Sequence, residues 1–274
     1  MRYPQRMSRH TGSPPSTWLR LAVGSLLAIV ACLVSPASWL LAQEGTPSPL
    51  LPPAQPAQPV TVASVRTVPV SAEEVGRGDP SLPRMTLMIN VGAGSEVAVG
   101  MLDTLKEKGL RTSFFVLGWW AERQPEIMKR IGDEHEVGSH GHSVFDLTAV
   151  SDAAVREDLE RADAVISGIT GRTTRPLWSA SAGARNDRVR GIAASLGYRP
   201  IYLTIDSLDW TQDSTAESIY TRVMERAVNG AIVQLHFDSP TTVRSTAVAL
   251  PRLIDDLRAQ GYTLMTITDL LTAP

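Results

Sequence analysis

Residues Met85–Gly118 read MTLMINVGAGSEVAVGMLDTLKEKGLRTSFFVLG. The opening run, MTLMINV, is short, apolar and β-prone, which predicts a strand buried on both faces. GMLDTLKEKG places apolar residues at helical spacing and stops at Gly109, the residue type that ends helices in a left-handed turn. LRTSFFVLG predicts a second strand. Strand, helix and strand in immediate succession predict a parallel pair with a helical crossover.

The same alternation continues outward. PEIMKRIGDE starts at Pro125, a residue suited to the first helical turn, and SDAAVREDLERADAVISGITG has Ser151 as its N-cap. DRVRGIAASLGY predicts a helix ending at Gly197, and LPRLIDDLRAQGY another that leads into a last strand, TLMTI. PIYLTIDS and GAIVQLHF are strand-like. The expectation is an α/β domain over 85–274 with a mainly parallel sheet. Parallel sheets place their chemistry at the carboxyl ends of the strands. The positions to examine are therefore Asn90–Ser95, Gly118–Trp120, the loop around His140, Trp178–Gly183, Asp206–Trp210 and His236–Asp238.

Composition narrows the function. The 274 residues are 43% apolar and carry 26 Lys and Arg against 28 Asp and Glu, without a basic block to track a phosphate backbone. Nucleic acid is not an expected partner. Arginines at 2, 6, 9 and 20 precede the uncharged run Leu21–Ala42, the pattern of an export signal. The run is close to the ~20 residues that span a bilayer, so 1–42 is a signal peptide or a membrane anchor. Cys32, the one cysteine, lies in IVAC, which resembles a bacterial lipobox, although Leu33 and Val34 after it are apolar. Beyond it no thiol remains for disulfides or metal ligation. Residues 43–84 hold nine of the 19 prolines and predict an extended spacer, with Val60–Val70 as an edge strand limited by Pro69. The protein is thus expected to be exported, either secreted or held at the cell envelope.

The segments LKEKGLRTSFFVLG, EVGSHGHSVFDLT, GARNDRV, LGYRP, IDSLDW, GAIVQLH and LPRLIDDLRAQGYTLMTITDLL resemble, in order and spacing, the polysaccharide deacetylase family. This is the NodB homology domain of carbohydrate esterase family 4, and the resemblance covers Met85–Leu271. It implies a distorted (β/α) barrel, a divalent metal such as zinc, and acetylated polysaccharide as partner: peptidoglycan, a chitin-like chain or an exopolysaccharide.

The family's hydrolysis uses a metal to polarise the acetyl carbonyl and activate water, with an aspartate as base. Its TFDDG motif supplies base and metal aspartates, and HTYSH supplies two histidines four residues apart. Here the resemblance puts Asn90 at the base position and Val91 at the metal-aspartate position. His140 matches the first histidine, but the second position is Val144. An amide is no base at neutral pH, and valine ligates nothing. His142 lies two residues from His140, where side chains diverge, so it is a poor substitute. His135 matches a position that is not a ligand. WSASAG replaces FRPPYG, so Ser179 stands where the family has its base-orienting arginine and Ala182 where it has an aromatic; Arg175 lies too far upstream to compensate.

Other parts are kept. Asp206, Asp209 and Trp210 match the fourth motif, and Leu235 and His236 match LHD, whose histidine is the general acid; the aspartate next to it is Phe237, with Asp238 one step later. The expected site is thus His236 and Asp209 as surviving catalytic groups, His140 as a lone ligand, and Trp210, Leu235, Trp119 and Trp178 as glycan contacts through indole stacking or packing. Asp103, Asp163, Asp255 and Asp256 are expected on solvated helix faces. The preferred expectation is a non-catalytic glycan-binding or scaffold domain with no cofactor. The alternative is a working deacetylase whose metal is held by His140, His236 and Asp206 or Asp209.

Overall fold

The computed structural model describes residues 66–92, 99–143 and 146–272. The leader, Cys32, most of the proline-rich segment and Val144 lie outside them. Among the described residues no helix is long and apolar enough to cross a membrane.

The elements follow the predicted alternation: β1 (Arg84–Val91), α1 (Val99–Glu107), β2 (Ser113–Val116), α2 (Gly118–Arg123), α3 (Pro125–Glu134), β3 (Glu136–Ser139) and α4 (Asp152–Thr170). Then come β4 (Leu177–Trp178), α5 (Asp187–Ser195), β5 (Arg199–Pro200), β6 (Ile205–Asp206), α6 (Ala216–Arg226), β7 (Ile232–His236), α7 (Thr246–Ala259), β8 (Thr263–Leu264) and α8 (Ile267–Thr272). The caps are those the sequence signals: Ser151 accepts from the Ala154 N–H, and Pro125 opens α3.

The strands are parallel and run β5-β4-β3-β2-β1-β7-β6, with β8 joining β1. This is the curved sheet of an incomplete (β/α) barrel, because β5 and β6 end the path without pairing to each other. β1 is its centre and is buried at every position after Arg84. Leu87, Ile89 and Val91 pack outward with Met101, Leu105, Leu253 and Ile254 from the helices. Met88 faces inward with Phe115, Leu177, Ile232 and Ile267, as the period of two requires.

Three expectations change. The proline-rich spacer does not extend to Arg84: Val68 is buried in the inner cluster, and Val75–Arg77 lie along the gap between β5 and β6. The Val75 N–H donates to the Pro200 carbonyl (2.9 Å) and its own carbonyl accepts from Tyr202 (2.8 Å). Residues 66–70 form no strand, and the rest of the expected Val60–Val70 strand falls outside the described residues. PIYLTIDS is two short strands, because the Tyr202 N–H and the Thr204 hydroxyl between them donate to the Val75 and Gly76 carbonyls of this strap, and TLMTI is a two-residue strand running into α8. Finally, Asp163 is not a solvated residue. It accepts from Thr173, Thr174 and Arg175 and ties α4 to the loop before β4, whereas Asp103 and Asp255 stay exposed as expected.

Gly230 closes the strap. Its φ is +77°, and an added Cβ would lie 2.6 Å from the Gly78 carbonyl oxygen, which is backbone and cannot step aside. Gly230→Ala is therefore expected to cost about 2 kcal/mol or more, adding left-handed strain to the clash, read as a lowered urea midpoint.

His135 ends α3, stacks on Phe114 with ring centroids 4.9 Å apart, and is 3% exposed, with no hydrogen-bond partner for either ring nitrogen among the described residues. Burial pushes its imidazole down to about 4, with Arg111 and Arg130 adding to the shift against Glu134. The unfolded chain therefore takes up this proton first as pH falls, and stability declines below about 6.5 until the folded group titrates near 4. Relative to His135→Phe, the protein is expected to lose about 2 kcal/mol between pH 7 and pH 5 in urea titrations.

Candidate active-site groove

The carboxyl ends of β1, β3, β4, β6 and β7 converge on a cavity of about 360 Å³. Asn90, His140, Ser179, Asp206, Trp210 and His236 line it, together with Met88, Tyr202 and Gln234. Asn90 is 2% exposed, and its Oδ1 has no hydrogen-bond partner among the described residues.

His140 is held by Nδ1–H donating to the Ser179 carbonyl (2.8 Å). That bond fixes the tautomer and leaves Nε2 with its lone pair. Burial pushes the imidazole down to about 4, with the Ser179 bond opposing the effect and the nearby charge of His236 adding to it. His140 is accordingly neutral at ordinary pH.

His236 behaves oppositely. Burial disfavours its charge, but the hydrogen bond to Asp209 and the charges of Asp209, Asp238 and Asp206 outweigh this and raise its pKa. Asp209 is fully buried. Its Oδ1 meets His236 Nδ1 at 2.7 Å, and its Oδ2 accepts from the His236 backbone N–H (2.7 Å) and the Thr246 hydroxyl (2.8 Å). Asp209 thus positions His236 rather than facing the cavity. Asp238 is turned to the start of the first loop, where both its oxygens accept from the Gly92 N–H (3.1 and 3.0 Å).

His142 is directed elsewhere. Its N–H and that of Ser143 donate to Asp158 of α4 (2.8 and 3.1 Å), and its ring lies against Gly118, in a niche with Glu157 and Arg161. The divergence expected from its two-residue spacing is what separates it from His140. Asp158, buried on the inner face of α4, was not signalled as part of this loop. Its position one turn from Val155 and Ala162 was the available clue.

The glycan-contact residues need correction. Leu235 is fully buried among the helix-side residues, since alternation turns it away while Gln234 and His236 face the cavity. Trp178 is fully buried in a cluster with Leu159, Val189 and Tyr198. Trp119 opens α2, not a strand-end loop, and packs on the core beneath the Arg123 guanidinium, 4.9 Å from the ring centroid. Among the described residues, Trp210 alone, 50% exposed, presents an indole to the groove. Arg175 sits at the opposite rim, where it pairs with Asp163 and lies over Tyr198.

The donor set does not fit the family's metal. Val91, at the aspartate position, packs among apolar residues, and a zinc site normally has three protein ligands. Among the described residues no three His, Cys, Asp or Glu side chains are grouped to hold an ion. Asp209 is committed to His236 and Thr246, which removes it from the alternative ligand set.

A curved parallel sheet with this groove at its carboxyl rim defines a carbohydrate-esterase-type barrel. The polysaccharide deacetylase family model matches residues 77–201, and the chain belongs to that family. The chitooligosaccharide deacetylase of Rhizobium leguminosarum bv. trifolii is 30% identical over 210 residues, 72% of this chain and 95% of that protein. Two Bacillus subtilis proteins are also 30% identical: the peptidoglycan-N-acetylmuramic acid deacetylase PdaA over 174 residues and the uncharacterized protein YlxY over 210. These matches cover 62% and 76% of this chain, which spans 65% and 63% of their respective lengths. Among solved structures, a family 4 pseudoenzyme from Bacillus anthracis superposes with a TM-score of 0.67 at 29% identity, covering 73% of this chain and 69% of that one. A mutant of the pseudoenzyme has restored enzymatic activity.

Proposed function

We propose that the protein is an exported, envelope-associated member of the polysaccharide deacetylase family that binds glycan in the barrel groove without hydrolysing it. The observation that carries this reading is the pair at the end of β1: an amide, Asn90, at the base position and an apolar side chain, Val91, at the metal position. With neither group, no water is activated at the carbonyl. The cavity, its polar wall and the exposed face of Trp210 remain suited to a sugar ring. Relatives that act on peptidoglycan and chitooligosaccharides supply the partner class, a chain of amino sugars from the envelope.

The test combines metal analysis of the purified protein, acetate release from acetylated chitooligosaccharides, and retention on insoluble peptidoglycan. The expected result is sub-stoichiometric metal, no acetate, and retention that drops roughly tenfold in Trp210→Ala. Acetate release together with an equivalent of zinc that vanishes in His140→Ala would instead establish a working enzyme.

A further inference from the structure

Two segments outside the strands supply one wall of the groove: Ala182 and Gly183 from the link between β4 and α5, and Tyr202 and Leu203 from the link between β5 and β6. Ala182 and Gly183 have φ of +50° and +68°, and an alanine stays in that left-handed region only where its surroundings compel it. Arg185 reaches both segments. Its Nη1 donates to the Gly183 carbonyl (3.0 Å), and its guanidinium lies over the Tyr202 ring, 3.4 Å from the centroid. The rest of the fork goes to the strap, where Nε and Nη2 donate to the two oxygens of Glu74, Nη2 at 3.0 Å. The next strap residue, Val75, accepts from the Tyr202 N–H (2.8 Å). With side chains only 20% and 21% exposed, Arg185 and Glu74 form a sheltered bidentate pair of fixed geometry. The adjacent Glu73, 87% exposed and 3.8 Å from Arg199, makes the loose kind of contact that contributes little.

We infer that Arg185 is the positioning residue of this wall and that Glu74 of the strap sets it, so that the segment ahead of the barrel is a working part of the glycan site. This rests on the glycan-binding function proposed above and adds what controls the site. A guanidinium suits the task because its planar fork takes a carboxylate on one edge and a carbonyl on another while its face covers a ring; an ammonium has neither fork nor face. A groove wall held in advance binds a sugar without first having to be ordered, whereas a wall free to move must be fixed at the expense of affinity.

The test is retention of the full chain on insoluble peptidoglycan, read as an apparent Kd per folded molecule, beside the urea midpoint. Arg185→Leu is expected to weaken retention about tenfold, and Glu74→Gln, which leaves the fork one acceptor oxygen, by a smaller factor. Glu73→Gln, which removes the same charge one residue away, is expected to change nothing. Arg185→Lys separates positioning from mere fastening. It keeps a cation for Glu74, so the midpoint is expected to stay near that of the natural protein while retention still falls. Should Arg185→Leu not fold, the Lys and Gln variants carry the test. Natural retention in Arg185→Lys or in Glu74→Gln overturns the assignment and leaves glycan binding standing. An equal loss in Glu73→Gln also overturns it, because the effect would then trace to the strap's charge. A natural protein that is not retained, or whose retention ignores Trp210→Ala, overturns the glycan reading and this inference with it.

Discussion

Asp209→Ala is expected to destabilise the protein by about 3–5 kcal/mol, the range for removing one partner of a buried ion pair. The carboxylate is fully buried and serves the His236 backbone N–H, the His236 ring and the Thr246 hydroxyl at once. Its backbone carbonyl also accepts from Thr241 (2.7 Å), so the residue knits β7 to the start of α7. Truncation leaves a ring nitrogen, an amide and a hydroxyl without partners inside the barrel, each costly to bury unpaired. Urea denaturation measures the loss, and the His236 titration followed by NMR supplies a second readout. In Asp209→Asn the histidine pKa is expected to fall, because the charge that raises it is gone while the shape is kept. A shift in stability below about 1 kcal/mol would show that the network is not structural. The result bears on what the pair does in a groove proposed not to hydrolyse: the dyad is expected to anchor a strand end irrespective of catalysis.

The second large effect is a repair. Asn90→Asp, Val91→Asp, Val144→His and Ser179→Arg together supply the family's residues at the positions that the sequence resemblance assigns to base, ligands and orienting arginine. The fourfold variant is expected to take up about one equivalent of zinc, with the natural sequence taking up none. Val91 is 1% exposed among apolar neighbours, so a carboxylate there costs several kcal/mol in the absence of an ion. The variant should consequently be fragile with a chelator and recover about 2.7 kcal/mol when zinc reaches 100-fold over its dissociation constant. The natural protein's unfolding midpoint should ignore zinc. A folded variant that takes up no zinc would mean that the correspondence of Val91 and Val144 with the family ligands is wrong. The restored activity of a mutant of the related pseudoenzyme shows that recovery within this fold is attainable.

Much of the architecture was legible because its signals are local. Pro125, Ser151 and Gly109 punctuate helices by backbone chemistry alone, and the apolar run of β1 reflects burial on two faces. α6 passed unnoticed although Ile219 and Val223 stand four apart behind the Thr215–Ser218 capping box. No glycine or proline directly adjoins either end to mark it. The groove was half legible. Motif order located Asn90, His140, Asp206, Trp210 and His236 correctly on one rim. Which indoles line it was not written in order or spacing, because Trp178 and Trp210 both follow strands and only packing from α4 and α5 separates them. The His140 tautomer was not legible either, because it is set by a carbonyl 39 residues away in sequence.

The strap along the gap between β5 and β6 changes where the folded unit begins. Exposed strand edges are templates on which other chains add, and proteins ordinarily guard them. Val75–Arg77 occupy such a template and Val68 fills the space behind it. A fragment cut at Arg84 would bare that seam and favour self-association into insoluble material, so the stretch that looks like a mere tether also acts as the barrel's guard against its own copies.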